Sequence, residues 1–237
     1  MKKFVIFFVI IIIISAFVTA TVIYAAYKPN NIILMYHSIQ PIPLNDEKDL
    51  FVTPADLENQ FRTIADFGLT TAFITDIGGN AVYITFDDGY EDNYTYALPL
   101  MMKYNVKATV FIITDLIGEK GYLNEDQIRE MTASGLVSFQ CHTASHTDLT
   151  LLGEDELYRE LTESKDKLES ITNQPVTAIS YPYGKFNDKV IAAASQFYTV
   201  GVTTKGPNLF AGNKNMTLPR YGIPNLFDIN HFKYIIA

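Results

Sequence analysis

ITFDDGY, residues 84–90, sets two carboxylates side by side directly after the apolar run Ala81-Val82-Tyr83-Ile84-Thr85-Phe86. The run has the length and the β-branched and aromatic content of a buried strand. Ending such a strand on like charges is costly unless a cation or a shared proton lies close by, so the stretch is a candidate cation site. Asp-Asp-Gly is also good turn chemistry, with Asp bonding to local backbone and Gly accepting positive φ, and the triplet alone leaves both readings open.

Outward from this strand, short apolar runs alternate with longer stretches of helical period, the pattern of β/α units around parallel strands. Strands are expected near 31–36, 70–75, 81–86, 107–113, 136–141, 176–181, 198–203 and 216–221. Residues 54–67 carry Leu57, Phe61, Ile64 and Phe67 at helical spacing, with Thr53 as cap, Pro54 at the first position and Gly68 closing. Further helices are expected at 124–134, at 154–171 with the stripe Leu157, Leu161, Lys165, Leu168 and Ile171, and at 226–237. About eight strands and six or seven helices predict an α/β fold, a closed or nearly closed (β/α) barrel. His37, Asp87, Asp88, Thr114-Asp115, His142 and Pro182-Tyr183-Gly184 each follow a predicted strand. In such a barrel they share the C-terminal mouth, where active sites are built.

The chain of 237 residues is long enough for one large domain and shows no internal repeat. Lys2-Lys3 precede an uncharged apolar stretch from Phe4 to Tyr27, long enough to span a bilayer. Residues 1–27 are therefore expected to be an N-terminal membrane anchor or a signal peptide, 28–30 a linker and 31–237 the catalytic domain. The lysines favour an extracytoplasmic domain, at the cell membrane if the anchor is retained and secreted or at the cell surface if it is cleaved. The length of the apolar run favours retention, while Val18-Thr19-Ala20 would serve as a cleavage site. Cys141 is the only cysteine, so no internal disulfide supports the domain. A net charge of −8, with no Lys/Arg cluster beyond the N-terminus, argues against nucleic acid and suits a neutral or cationic substrate. No protein partner can be inferred.

His142 and His146, in CHTASHTDL, are four apart, which lets two imidazoles converge on one metal ion. By itself the spacing also fits two surface histidines. The chain has only four histidines, however, and three stand at strand ends. One acid of the Asp87-Asp88 pair would complete a three-ligand site with an open position for water, and the other would remain as a base. Both can reach one pocket only where the strand ends and turns, which Gly89 allows.

Thr85-Phe86-Asp87-Asp88-Gly89, then His142-Thr143-Ala144-Ser145-His146 with Leu149 behind, then Tyr181-Pro182-Tyr183-Gly184, resemble in order and spacing three motifs of the polysaccharide deacetylases, the NodB homology domain. The likeness covers most of residues 31–203, including KATVFII (107–113) and LNEDQIREMTASGL (123–136). It implies a distorted (β/α) barrel and the removal of N-acetyl groups from sugars such as N-acetylglucosamine. It also implies Asp87 as catalytic base, Asp88, His142 and His146 as ligands of a divalent metal, and Tyr181, Pro182 and Tyr183 at the oxyanion and substrate site. The Tyr183 backbone N–H would take the oxyanion role. The metal is expected to be zinc, with nickel, cobalt or manganese as alternatives.

Two departures stand out. Ser180 occupies the place where many members carry an Arg that orients the base, and Arg220, in LPRYGIP, is the candidate substitute, with a surface Arg as the other reading. The late motifs with Trp and Leu-x-His are missing: the chain has no Trp, and His231 reads as a surface residue of the last helix. His37, in IILMYHSI, resembles the circularly permuted acid of deacetylases acting on poly-β-1,6-N-acetylglucosamine, the biofilm exopolysaccharide. There it would protonate the leaving amine, and the stretch FVTPADLENQFRTIADFGL (51–69) resembles the segment next to that histidine in the same subgroup. The other reading of His37 is a core or capping residue.

Tyr90, Tyr94, Tyr122, Tyr181 and Tyr183 could stack on sugar rings, although packing is the commoner role of any one tyrosine. Cys141 is expected to pack beneath the second motif, and Asp148 to orient a ligand His or to cap the next segment. The expected activity is metal-dependent deacetylation of an extracellular N-acetylglucosamine polysaccharide, most closely the β-1,6 polymer. The alternatives are a deacetylase of peptidoglycan or chitin-like oligomers, removal of another acyl group, and a membrane-tethered carbohydrate-binding protein whose site has decayed.

Overall fold

The computed structural model describes residues 31–41, 50–204, 206 and 215–237. The expected anchor and linker lie outside the described residues. Among those described, no helix is long and apolar enough to cross a membrane.

The strands are β1 Asn31–Tyr36, β2 Ser38–Ile39, β3 Phe51–Val52, β4 Ala81–Phe86, β5 Ala108–Ile112, β6 Val137–Cys141, β7 Ala178–Ser180, β8 Val200–Val202 and β9 Tyr221–Gly222. Seven of them form a parallel sheet in the order β8-β7-β6-β5-β4-β1-β9, and β2 and β3 pair apart from it. The helices are α1 Pro54–Asp66, α2 Leu98–Tyr104, α3 Glu125–Ala133, α4 Glu154–Thr172, α5 Asp188–Ala194 and α6 Ile229–Ile236. The expected α/β architecture of a distorted, curled barrel is present.

Local signals set the helix ends. Thr53 Oγ1 accepts from the Asp56 N–H ahead of Pro54, and Asn124 and Gln127 form a reciprocal capping box. In α1 the buried stripe is Leu57, Phe61 and Ile64, whereas Phe67 falls at the C-cap and is exposed. Its expected place in the stripe is lost because Gly68, in the left-handed region, ends the helix one residue later.

Two expected strands differ. At 70–75 only Thr71 pairs, bridging to Val82, and Ile74–Asp76 make a helical turn. The edges of β4 are occupied by β1 and, from Ile84 onward, by β5, so room for a further strand is confined to the start of β4. The 216–221 run is also divided. Leu218 donates to the Gly201 carbonyl and accepts from Thr203 N–H, pairing with β8, while Ile223 N–H donates to the Met35 carbonyl beside β1. One segment thus joins both edges of the curled sheet, and Pro219-Arg220 lie at its change of partner.

Strand alternation sorts the core into two parts. Leu34, Val82, Ile84, Phe86, Val110 and Ile179 face the helices in the larger cluster. Ile33, Tyr83, Phe111, Ala178, Val200 and Val202 fill the inside of the curl. Each fully buried apolar side chain contributes roughly 1.5–3 kcal/mol before the entropy cost of ordering it. The inward series on β4, Tyr83 then Thr85, continues to Asp87.

Candidate metal and catalytic centre

Asp87 extends the β1–β4 pairing by one residue, its N–H donating to the Tyr36 carbonyl at 2.9 Å. Its carboxylate meets Arg220 in a two-point fork, Arg220 Nη1 to Oδ1 at 2.7 Å and Nη2 to Oδ2 at 2.6 Å. The guanidinium also donates through Nε to the Thr203 carbonyl at 3.0 Å, through Nη1 to Thr85 Oγ1 at 3.0 Å and through Nη2 to Ser180 Oγ at 2.9 Å. These five bonds match the five N–H groups of an arginine, and the plane lies over Phe111. Ser180 Oγ donates in turn to Asp87 Oδ2 at 3.1 Å. Arg220 is 0% exposed and Asp87 1%. A charge pair this deep is tolerable only when its hydrogen bonds are satisfied, as here. Burial pushes the Asp87 carboxyl pKa up, but Arg220 outweighs it and holds the group well below the usual carboxylate range. Arg220 therefore fixes the Asp87 carboxylate by geometry, and the surface reading is excluded. Ser180 leaves the volume in which the guanidinium sits.

Asp88 departs from the strand at φ 74°, followed by Gly89 at φ 82°. The positive φ favours glycine at 89, and a Cβ there would lie 2.5 Å from Ile112 Cδ1 and push the end of that side chain aside. The turn aims Asp88 Oδ1 at His142 Nε2, 3.3 Å away, and His146 Nε2, 3.7 Å away. The three donor atoms lie within 4.8 Å of one another. His142 Nδ1 is 2.7 Å from the Ser180 carbonyl, which fits Nδ1–H as the donor and leaves the Nε2 lone pair facing Asp88 and His146. Two imidazole nitrogens and one carboxylate, with the far nitrogen of one imidazole anchored, fit a zinc-like divalent ion with an open position. In this form burial lowers the His142 pKa, but Asp88 reverses that and raises it. Burial and the charge of His142 both lower His146.

The loop between the histidines is held by groups that no spacing in the sequence reveals. Glu160 of α4 accepts the Ala144 and Ser145 N–H groups on Oε2, each at 2.9 Å, and the Ser145 hydroxyl on Oε1 at 2.6 Å. Thr143 Oγ1 accepts from His146 N–H, and Cys141 Sγ from Thr143 N–H, placing the cysteine beneath the loop as expected. Of the seven non-glycine residues at positive φ among the described residues, Asp88, Thr143, His146 and Tyr183 belong to the three motifs. Strain of this kind persists only where surrounding contacts over-determine it.

His37 directly follows β1, whose Tyr36 is in register with Phe86, so it stands level with Asp87. It is half-buried and within electrostatic reach of Asp87, Asp88 and His146. The exposed Tyr183 ring lies 4.6 Å from that of His146, between centroids. Tyr181 does not join it. Its ring is fully buried against Phe186 and its hydroxyl has no hydrogen-bond partner among the described residues, because β7 alternation turns it toward the core. Pro182 is buried as well. Asp148 takes its second expected role: it accepts from Thr150 N–H and Oγ1, and from Lys185 Nζ at 2.7 Å, while the Ser180 carbonyl supports His142 instead. Tyr90 stacks on Tyr122, and Tyr94 donates to Glu130. His231 is a surface residue of α6, between Phe227 and Tyr234.

Residues 75–201 match the polysaccharide deacetylase family model. The chain is similar to the protein YxkH of Bacillus subtilis (strain 168), grouped by name with the polysaccharide deacetylases, at 36% identity over 73% of this chain and 64% of that protein. It is similar to poly-β-1,6-N-acetyl-D-glucosamine N-deacetylase of Staphylococcus aureus (strain MSSA476), at 34% identity over 46% of this chain and 42% of that one. The matched region thus spans less than two thirds of either curated relative. The solved structure of the Streptococcus pyogenes deacetylase PplD, in complex with acetate, superposes with a TM-score of 0.78 at 30% identity, covering 87% of this chain and 97% of that one.

Proposed function

The chain belongs to the polysaccharide deacetylase family, and from that membership we propose that it hydrolyses N-acetyl groups of an extracellular N-acetylglucosamine polymer, specifically poly-β-1,6-N-acetylglucosamine. The observation that carries the reading is the buried Arg220–Asp87 pair beside three converging donors, a fixed carboxylate next to a metal-binding set. The β-1,6 linkage is supported by the position of His37 and by the likeness to the staphylococcal enzyme.

Asp88, His142 and His146 would hold the divalent ion, zinc by the chemistry of the donors. Its charge would acidify a water and polarise the amide carbonyl. Asp87, kept ionised by Arg220, takes the proton of the attacking water. The Tyr183 backbone N–H steadies the oxyanion at the mouth. His37 delivers a proton to the amide nitrogen as the C–N bond breaks, so that acetate and the sugar amine separate. A bare amine is a poor leaving group, which makes the acid as necessary as the base. Lys2-Lys3 and the apolar stretch after them support an enzyme acting outside the cytoplasm.

The test is acetate release by the purified full chain from β-1,6- and β-1,4-linked N-acetylglucosamine oligomers, metal-loaded and chelator-stripped. Metal-dependent release favouring β-1,6 is expected. Release from β-1,4 alone would keep the chemistry and reject the substrate. No release from either by folded, metal-loaded protein would reject the activity.

A further inference from the structure

Five residues beyond Asp87, Asp92 and Asn93 begin a π-helical turn, Asn93–Ala97. Such turns are rare and recur at functional positions. Asn93 is fully buried, and its Nδ2 donates to the His37 carbonyl at 3.0 Å and to Asp92 Oδ1 at 2.9 Å. Asp92 Oδ2 accepts from Ser38 Oγ at 2.5 Å. Two consecutive residues, His37 and Ser38, are therefore tied to this pair. The chain just ahead of β3 holds Ser38 from its other side, the Ser38 N–H donating to the Leu50 carbonyl.

The arrangement has a visible cost. Asn93 Oδ1 is buried without a hydrogen-bond partner among the described residues, the kind of group a fold ordinarily avoids. An apolar residue of similar size would remove that cost and would equally fill the space. What it could not do is hold the carbonyl of His37.

We propose that Asn93, with Asp92, is a positioning residue for His37. The amide clamps the backbone of the acid-bearing segment onto the π-helical turn that follows Asp87 and Asp88 in the chain, so that acid, base and metal donors keep one spacing. The inference rests on the reading of His37 as the proton donor to the leaving nitrogen. A displacement of about 1 Å at such a group can cost on the order of a hundredfold in rate.

The discriminating measurement compares two substrates. An N-acetylglucosamine oligomer needs a proton on its leaving nitrogen, whereas 4-nitrophenyl acetate releases a stabilised phenolate that needs none. Variants Asn93→Ala, Ser38→Ala and His37→Ala are assayed on both, with zinc content and thermal unfolding measured alongside. Expected for Asn93→Ala is a kcat on the amide roughly tenfold to a hundredfold lower, with KM, ester hydrolysis and zinc content held. Ser38→Ala should change in the same sense by less, and it carries the test if Asn93→Ala fails to fold. If His37→Ala shows the amide-to-ester split and neither of the other variants does, the positioning role is overturned while the acid reading stands. If His37→Ala lowers both substrates together, the acid reading falls and the inference falls with it.

Discussion

Arg220 Nη1 and Nη2 grip the two oxygens of Asp87 at 2.7 and 2.6 Å across 133 residues of sequence, with neither side chain reaching solvent. Removing one partner leaves the other as an uncompensated buried charge, which typically costs about 3–5 kcal/mol. Arg220→Met is therefore expected to unfold at lower urea than the native chain by that order. Arg220→Lys retains the charge but not the fork, and should keep more stability than activity.

The same pair sets a pH dependence. Asp87 must be ionised to accept a proton, and Arg220 depresses its pKa. Activity of the native chain should not be limited by this group until the pH falls well below the ordinary carboxylate range. In whatever Arg220→Met protein folds, the largest influence opposing burial is gone, so the acid limb of kcat/KM should move to higher pH. A pH–rate profile with the acid limb unmoved would remove Arg220 from the proposed role. The stability counterpart has the same sign: the pair's contribution is complete above the unfolded Asp value of about 3.9 and is lost as the pH falls toward the depressed folded value.

Asp87→Asn and Asp88→Asn should separate the two carboxylates. Asp87→Asn is expected to lower kcat by roughly a hundredfold to ten-thousandfold with zinc content intact. Asp88→Asn should lose bound zinc, as should His142→Ala, and chelation of the native protein should abolish activity until the metal is restored. Equal zinc content in all four proteins would contradict the ligand assignment.

Glu160 touches neither metal donors nor Asp87, yet it accepts two backbone N–H groups of the loop that carries His146. Glu160→Ala should weaken metal affinity by about tenfold to a hundredfold, in line with other supporting groups around metal ligands. A zinc titration of activity reads this directly, because kcat at saturating zinc should recover most of its native value.

Gly89→Ala introduces a methyl at φ 82° and 2.5 Å from Ile112 Cδ1. It should destabilise the fold by about 1–3 kcal/mol and displace Asp88, so thermal unfolding and zinc content should fall together.

Much of this centre is legible in the sequence. Apolar runs of strand length, each ending on Asp, His or Pro-Tyr-Gly, place the polar groups at one end of a parallel sheet, because strands joined by helical crossovers must all point the same way. The His142–His146 spacing and the adjacent acids carry the chemistry in their residue types. Glu160 was not legible, since a glutamate on the polar side of an amphipathic helix looks like any solvated one. Tyr181 misled, because its near neighbour Tyr183 is exposed and a short step along the chain separates mouth from core.

The sequence by itself determined which residues could bind a metal and act as base, and that they would meet at the strand ends, because strand periodicity is local. Only the tertiary structure decided what neutralises Asp87. Ser180 leaves the space, and the segment that closes the sheet changes partner at Pro219-Arg220 and delivers the guanidinium into it. A buried charge selects its partner by three-dimensional proximity and low dielectric, and neither quantity is written in the spacing of residues 87 and 220.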